Sequence, residues 1–135
     1  MERLTLYTVD FTSAMEPDDL ELLREYAHSI DCVGSRTIKG GYHAGSDYDF
    51  LVEMSGDIYE VLTDMEFELE GDSEHYEPNQ GEFNSWRKGN INLVVTSSTL
   101  FKLKFLAANN LVRQLGLKKR PERVKIFQRI LYGVK

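Results

Sequence analysis

At 135 residues, 41% hydrophobic and 28% charged, the chain has an ordinary globular balance and room for one domain over 1–135. No apolar run approaches the roughly 18 residues that cross a bilayer. The start, Met1-Glu2-Arg3-Leu4-Thr5, lacks the charged and apolar regions of a secretory signal, and one cysteine excludes an internal disulfide, so a cytoplasmic protein without a membrane partner is expected.

The net charge of −6 hides an asymmetry. Residues 1–100 hold 21 Asp/Glu against 6 Lys/Arg, and residues 101–135 hold 1 against 10. Either acidic and basic faces neutralise each other within the fold, or the basic segment faces an anion such as a triphosphate or a nucleic-acid backbone.

In chain order, Leu4 to Val9 is β-rich and loosely alternating, which predicts an edge strand. Glu16-Pro17-Asp18-Asp19 opens a helix, because proline suits a first turn and acids suit the positive helix end. Leu20, Leu23, Tyr26, Ala27 and Ile30 form its predicted buried stripe, with His28 beside it as a satisfied or solvent-edge histidine. Ile30 to Val33 predicts a short strand broken at Gly34. Cys32 within it reads as a core residue, since no base is placed to activate it. The glycine-rich segment from Arg36 to Ser46 reads as a loop or short hairpin.

A buried strand is expected from about Asp47 to Met54. A second helix is expected from Gly56-Asp57 to Gly71, with Ile58, Val61, Leu62, Met65 and Leu69 on one face. Asp72 to Gln80 reads as a solvated acidic loop. Glu82 to Arg87 and Ile91 to Thr96, joined by Lys88-Gly89-Asn90, read as a hairpin, with Trp86 packing on the core. Ser97 or Ser98 caps the next helix, whose predicted apolar positions include Leu100, Leu103, Ala107, Leu111 and Leu115, with Gly116 as its stop. Pro121 opens a last helix with Val124, Phe127, Ile130 and Leu131 buried and Gly133 at its end. This order predicts an α+β domain: a small mixed sheet with helices packed mainly on one side.

The chemistry concentrates in Val33-Gly34-Ser35 and Asp47-Tyr48-Asp49-Phe50. A Gly-Ser turn can present N–H groups to a phosphate. An Asp-x-Asp strand start puts two carboxylates on one face, a pair of hard oxygen ligands suited to Mg²⁺. Gly34 would let the backbone approach the phosphates, Ser35 would hydrogen-bond them, and Arg36 or Lys39 would add a cation.

The pattern Gly34-Ser35, eleven residues, then Asp47-Tyr48-Asp49-Phe50 resembles the signature of the polymerase-beta-like nucleotidyltransferase fold. The runs Gly34-Ser35-Arg36 and Gly45-Ser46-Asp47-Tyr48-Asp49 are similar to minimal nucleotidyltransferases of bacterial toxin–antitoxin pairs. Trp86 through Leu93 and on to Gly133 is similar to small nucleotidyltransferases encoded by bacteriophages, which would put the chain in a host cytoplasm. The resemblance implies that the Gly-Ser turn holds a nucleoside triphosphate and that Asp47 and Asp49 bind Mg²⁺ (or Mn²⁺). It also implies a third carboxylate on a neighbouring strand. By position that residue is Asn92, a neutral side chain that can offer an oxygen to a metal but cannot take a proton. Glu53 and Glu82 are the other acids considered, and Glu53 lies too far along the strand from Asp49 to replace it well.

The implied activity is transfer of a nucleoside monophosphate onto a hydroxyl of a protein, RNA or small molecule. The alternative is a catalytically inactive relative that binds a partner, as an antitoxin or an inhibitor of a host protein. A third reading, nucleic-acid binding, rests on the basic segment from Lys118-Lys119-Arg120 onward. With no second domain to hold a large substrate, a dimer or a partner protein would supply that surface.

Overall fold

The computed structural model describes residues 9–71 and 83–133. The strand predicted at Leu4 to Val9, the acidic loop, and Glu82 fall wholly or mostly outside these residues. The described elements are α1 (Pro17–Tyr26), β1 (Ser29–Val33), β2 (Tyr48–Glu53), α2 (Ile58–Asp64), β3 (Glu68–Gly71), β4 (Asn84–Lys88), β5 (Ile91–Thr96), α3 (Thr99–Leu115) and α4 (Arg120–Tyr132). No helix among the described residues is long and apolar enough to cross a membrane.

The five strands form one mixed sheet in the order β1-β2-β5-β4-β3. Neighbours run antiparallel except β2 and β5, which are parallel and set Asp49 beside Asn92. The crossover between β2 and β5 contains α2, β3 and β4. The tight turn at Gly89-Asn90 then reverses the chain, pairing Lys88 with Ile91 and Arg87 with Asn92.

Period-two alternation divides the strand residues between two faces. Phe50, Val52, Trp86, Leu93 and Val95 point one way and pack with Leu23 of α1 and Leu62 of α2. Val33, Leu51 and Val94 point the other way and pack with Phe101, Phe105, Ala108 and Val112 of α3 and Phe127 and Leu131 of α4. The α+β class and the small mixed sheet are as expected. The helices, however, cover both faces of the sheet, because both faces of β2 and β5 are apolar and each needs a cover.

Four local expectations are corrected. The second helix ends at Asp64, not Gly71: Glu66 takes a left-handed φ of 67°, and 68–71 become an edge strand on β4. Glu66-Phe67-Glu68-Leu69-Glu70 alternates acid and apolar residues with period two, and pairing with β4 outweighs the helix propensity of glutamate. Tyr26 is 49% exposed rather than part of the α1 stripe. On α3 the predicted leucine stripe faces outward, with Leu100 63%, Leu103 56% and Leu115 56% exposed. The helix carries two apolar stripes, and the one with Phe101 and Phe105 is buried, because aromatic side chains remove more apolar area from water. Finally, Ile30 lies in β1, as the strand reading of Ile30 to Val33 has it, and so drops out of the stripe assigned to the first helix.

Other expectations hold. Ser98 caps α3 by accepting a hydrogen bond from the Phe101 N–H at 3.1 Å, and Gly116 closes it in the left-handed conformation. Trp86 is buried, with Tyr59 edge-on at 5.1 Å. Cys32 is half-buried against the edge of the core rather than within it, and its sulfur accepts the Phe11 N–H at 3.4 Å. Burial pushes the thiol pKa up, which suppresses the thiolate.

Candidate functional site

The cavity lies on the sheet face covered by α3 and α4. Its volume is about 480 Å³, within the range that holds a small ligand. Gly34, Ser35, Asp47, Asp49 and Asn92 line it together. The sequence motif and the strand residue singled out with it therefore meet at one site, although β5 lies some forty residues downstream of β2.

The elbow after β1 is held from three sides. Gly34 has φ of 84° and ψ of −163°, a conformation that strains any residue with a Cβ. A Cβ at Gly34 would also overlap the Asp49 carboxylate and sit 2.9 Å from Asp49 Cβ. Glycine is thus required both by the backbone and by the acid packed against it. The Gly34 carbonyl accepts from the Thr37 N–H at 3.0 Å and the Thr37 hydroxyl at 2.6 Å, which starts a short 3-10 turn over Ser35–Thr37. The Gly34 N–H donates to Asn109 Oδ1 at 3.0 Å, and Asn109 Nδ2 donates to the Thr37 hydroxyl at 3.2 Å. Asn109 is buried on α3, so this amide fastens the elbow to the helix behind it. The Gly34 N–H is engaged there, so this donor is not turned to the cavity, while Ser35 also lines the cavity wall.

Arg36 and Lys39, the expected cations, do not line the cavity. Arg36 turns back and donates to the carbonyls of Ser46 at 2.9 and 3.1 Å and of Ala44 at 3.1 Å, with its guanidinium over the Tyr48 ring at 3.8 Å. It clamps the loop that delivers Asp47. Lys39 is exposed. The cavity's cations are Arg87, Arg120 and Arg123, together with the polar side chains of Ser85 and Asn109. Arg87 Nη1 lies 3.0 Å from Asp47 Oδ1, and its Nε also meets Glu70 Oε1. Asp47, then Glu70, hold the guanidinium firmly protonated. Arg123 donates to the Lys118 carbonyl just before α4.

Asp49 accepts a hydrogen bond from Asn92 Nδ2 at 3.0 Å. Burial pushes its carboxyl up to about 6, and the Asp47 charge adds to the rise. The Asn92 bond, Arg87 and Arg123 pull the other way. Glu53 points to the far end of β2, where it accepts from the Thr99 hydroxyl at 2.7 Å and pairs with Lys102 at 3.5 Å. It takes no part in the cavity.

Among the described residues no three His, Cys, Asp or Glu side chains converge as a ready metal cage. The side-chain oxygens in the cavity include two carboxylates, Asp47 and Asp49, and the amide of Asn92, while the Asn109 amide is committed to the elbow. That set suits a hard cation arriving with phosphate oxygens and water to complete its shell, as Mg²⁺ prefers, more than a cation held by protein alone.

Arg87 was legible in principle. A hairpin turning at Gly89-Asn90 pairs Arg87 with Asn92, the residue already assigned to the site. Arg120, Arg123 and Asn109 carry no such signal, since only the packing of α3 and α4 brings them to the sheet.

No family model matches the chain, and no curated protein matches it. Among solved structures the fold is similar to that of the conserved protein GrpB from Enterococcus faecalis, with a TM-score of 0.51 and 18% identity over 70% of this chain and 60% of GrpB. The chain therefore spans about three-fifths of GrpB's length. At this identity the likeness shows a shared fold and no activity.

Proposed function

We propose that this chain binds a nucleoside triphosphate with Mg²⁺ or Mn²⁺ in the cavity and transfers its nucleoside monophosphate to a hydroxyl of a protein, RNA or small molecule. The observation that carries this reading is one cavity lined by the Gly34-Ser35 elbow, the Asp47 and Asp49 carboxylates and three arginines. Asp47 and Asp49 would hold the divalent cation. When bound, it would neutralise charge on the phosphates and on the departing pyrophosphate.

The chain's own residues supply the rest. Ser35 hydrogen-bonds a phosphate oxygen. Arg87, Arg120 and Arg123 counter the polyphosphate charge. Val94, Phe105, Val124 and Phe127 give the nucleoside an apolar wall. The acceptor oxygen bonds to the α-phosphorus, the bond to pyrophosphate breaks, and the hydroxyl proton leaves to water. Asn92 cannot take that proton. Phosphoryl transfer tolerates this better than acyl transfer does, because positioning and electrostatics provide most of its catalysis. Asn92 instead orients the Asp49 carboxylate through its amide N–H.

The test is calorimetry with each nucleoside triphosphate and Mg²⁺ or Mn²⁺, followed by labelling of RNA and protein acceptors. Binding should be lost in Asp47→Asn and Asp49→Asn. Failure of every nucleotide to bind would remove the reading. Binding without labelling, with turnover gained in Asn92→Asp, would mark the chain as a silent binder.

A further inference from the structure

We propose that Arg87 is the built-in cation of the metal-free site: it gives up Asp47 to an incoming divalent cation and turns onto the phosphates that arrive with it. This rests on the metal–triphosphate reading above and adds how the site is kept and loaded.

The geometry sets Arg87 among three strands. It stands on β4, opposite Asn92 of β5, and Asn92 stands beside Asp49 of β2. Its Nη1 meets Asp47 and its Nε meets Glu70, so one planar fork spans two carboxylates on opposite sides. Glu70 reaches it from an irregular point. Glu68 pairs with Arg87 and Leu69 with Trp86, then the register slips before Gly71 pairs with Ser85. A bulge of this kind re-aims a side chain. The Glu70 carboxylate is thereby turned to Arg87.

Without a cation, Asp47 and Asp49 would face each other's charge in the cavity. The guanidinium, paired with Asp47, offsets part of that repulsion. The pair is also loose enough to part: the Arg87 side chain is 34% exposed and Asp47 is 42% exposed, so water screens their attraction. Glu70 is the tether. When Arg87 leaves Asp47, the contact at Nε keeps the guanidinium beside the cavity, and Nη1 is released toward the phosphates. The same residue then opposes a bare metal ion and favours a metal that carries a polyphosphate.

The experiment measures Mn²⁺ binding to the full chain, with and without a non-hydrolysable triphosphate analogue, by the electron paramagnetic resonance of free Mn²⁺. Arg87→Gln should bind Mn²⁺ alone about two- to fivefold more tightly and the Mn²⁺–analogue complex about tenfold more weakly. Arg87→Lys keeps the charge and should return the affinity for Mn²⁺ alone to within about twofold of the starting protein. Thermal melts report whether each variant is folded. In the unmutated protein the Arg87 Nη–H resonances should shift when Mg²⁺ and the analogue are added together, while the Nε–H held by Glu70 keeps its partner.

If the unmutated chain binds the complex but Arg87→Gln weakens or leaves unchanged the binding of Mn²⁺ alone, Arg87 is not the resident counterion and the site reading survives. Arg87 Nη–H resonances that stay in place as the complex binds have the same consequence. If the unmutated chain binds neither Mn²⁺ nor the complex, the site reading falls and this proposal falls with it.

Discussion

The two faces of the sheet are built from the same strands and have opposite characters. Phe50, Val52, Trp86, Leu93 and Val95 make one face, closed over by α1 and α2 into an apolar layer. The other face is apolar only in part. Leu51 and Val94 pack under α3, while Asp49, Asn92, Ser85 and Arg87 open into the cavity. Asp49 and Phe50 are neighbours in sequence, yet one belongs to a site and the other to the core. The difference teaches that stability and binding are assigned residue by residue along each strand. A substitution on one face should therefore leave the other largely intact.

The largest effect that tests this division is on the closed face. Phe50→Ala should lower stability by about 3–5 kcal/mol, as expected for a fully buried phenylalanine. Chemical denaturation measures that loss, and ligand affinity of the folded fraction should be unchanged. Gly34→Ala should cost about 3 kcal/mol, combining a left-handed backbone with overlap on the Asp49 carboxylate. Unlike Phe50→Ala, it should also weaken nucleotide binding, because the elbow and the acid must move apart.

Asp49→Asn should have the reverse sign. Its folded-state carboxyl is raised to about 6, so the folded protein holds that proton more tightly than the unfolded chain does. Metal-free stability therefore falls as pH rises from about 4 to about 6 and is flat above. Asp49→Asn should remove that slope and gain about 2 kcal/mol at pH 8, with no gain near pH 4. Denaturation midpoints at the two pH values check it. The smallest effect sharpens the comparison. Asn109→Ala leaves the Gly34 N–H without its partner and should cost about 1–2 kcal/mol. It should also loosen the elbow, seen as faster amide hydrogen exchange at Gly34.

Much of this was legible in the chain. β5 over Ile91–Thr96 follows from an apolar run behind a glycine turn, and the ends of α3 follow from Ser98 and Gly116. The fold class and the motif's strand followed the same local rules. What was not legible depended on competition between parts. On α3 two apolar stripes competed, and only the sheet decides that Phe101 and Phe105 turn inward. The segment 66–70 satisfied both a helix and a strand reading until β4 offered it a partner. Arg36 sits next to the motif's Ser35, yet its guanidinium serves the loop carbonyls, while the cavity's arginines come from β4 and α4. Proximity in sequence located the acids well and the cations poorly, because acids on a strand are placed by local alternation and these cations by long-range packing.

The parallel pairing of β2 with β5 has a consequence for any attempt to move this site. The signature from Gly34 to Asp49 is short enough to graft or to synthesise as a peptide. Its amide companion at Asn92 and the arginines opposite it belong to segments forty to ninety residues away in the chain. A transplanted signature would carry the recognisable letters into a host without their counter-surface, and it would be chemically mute there.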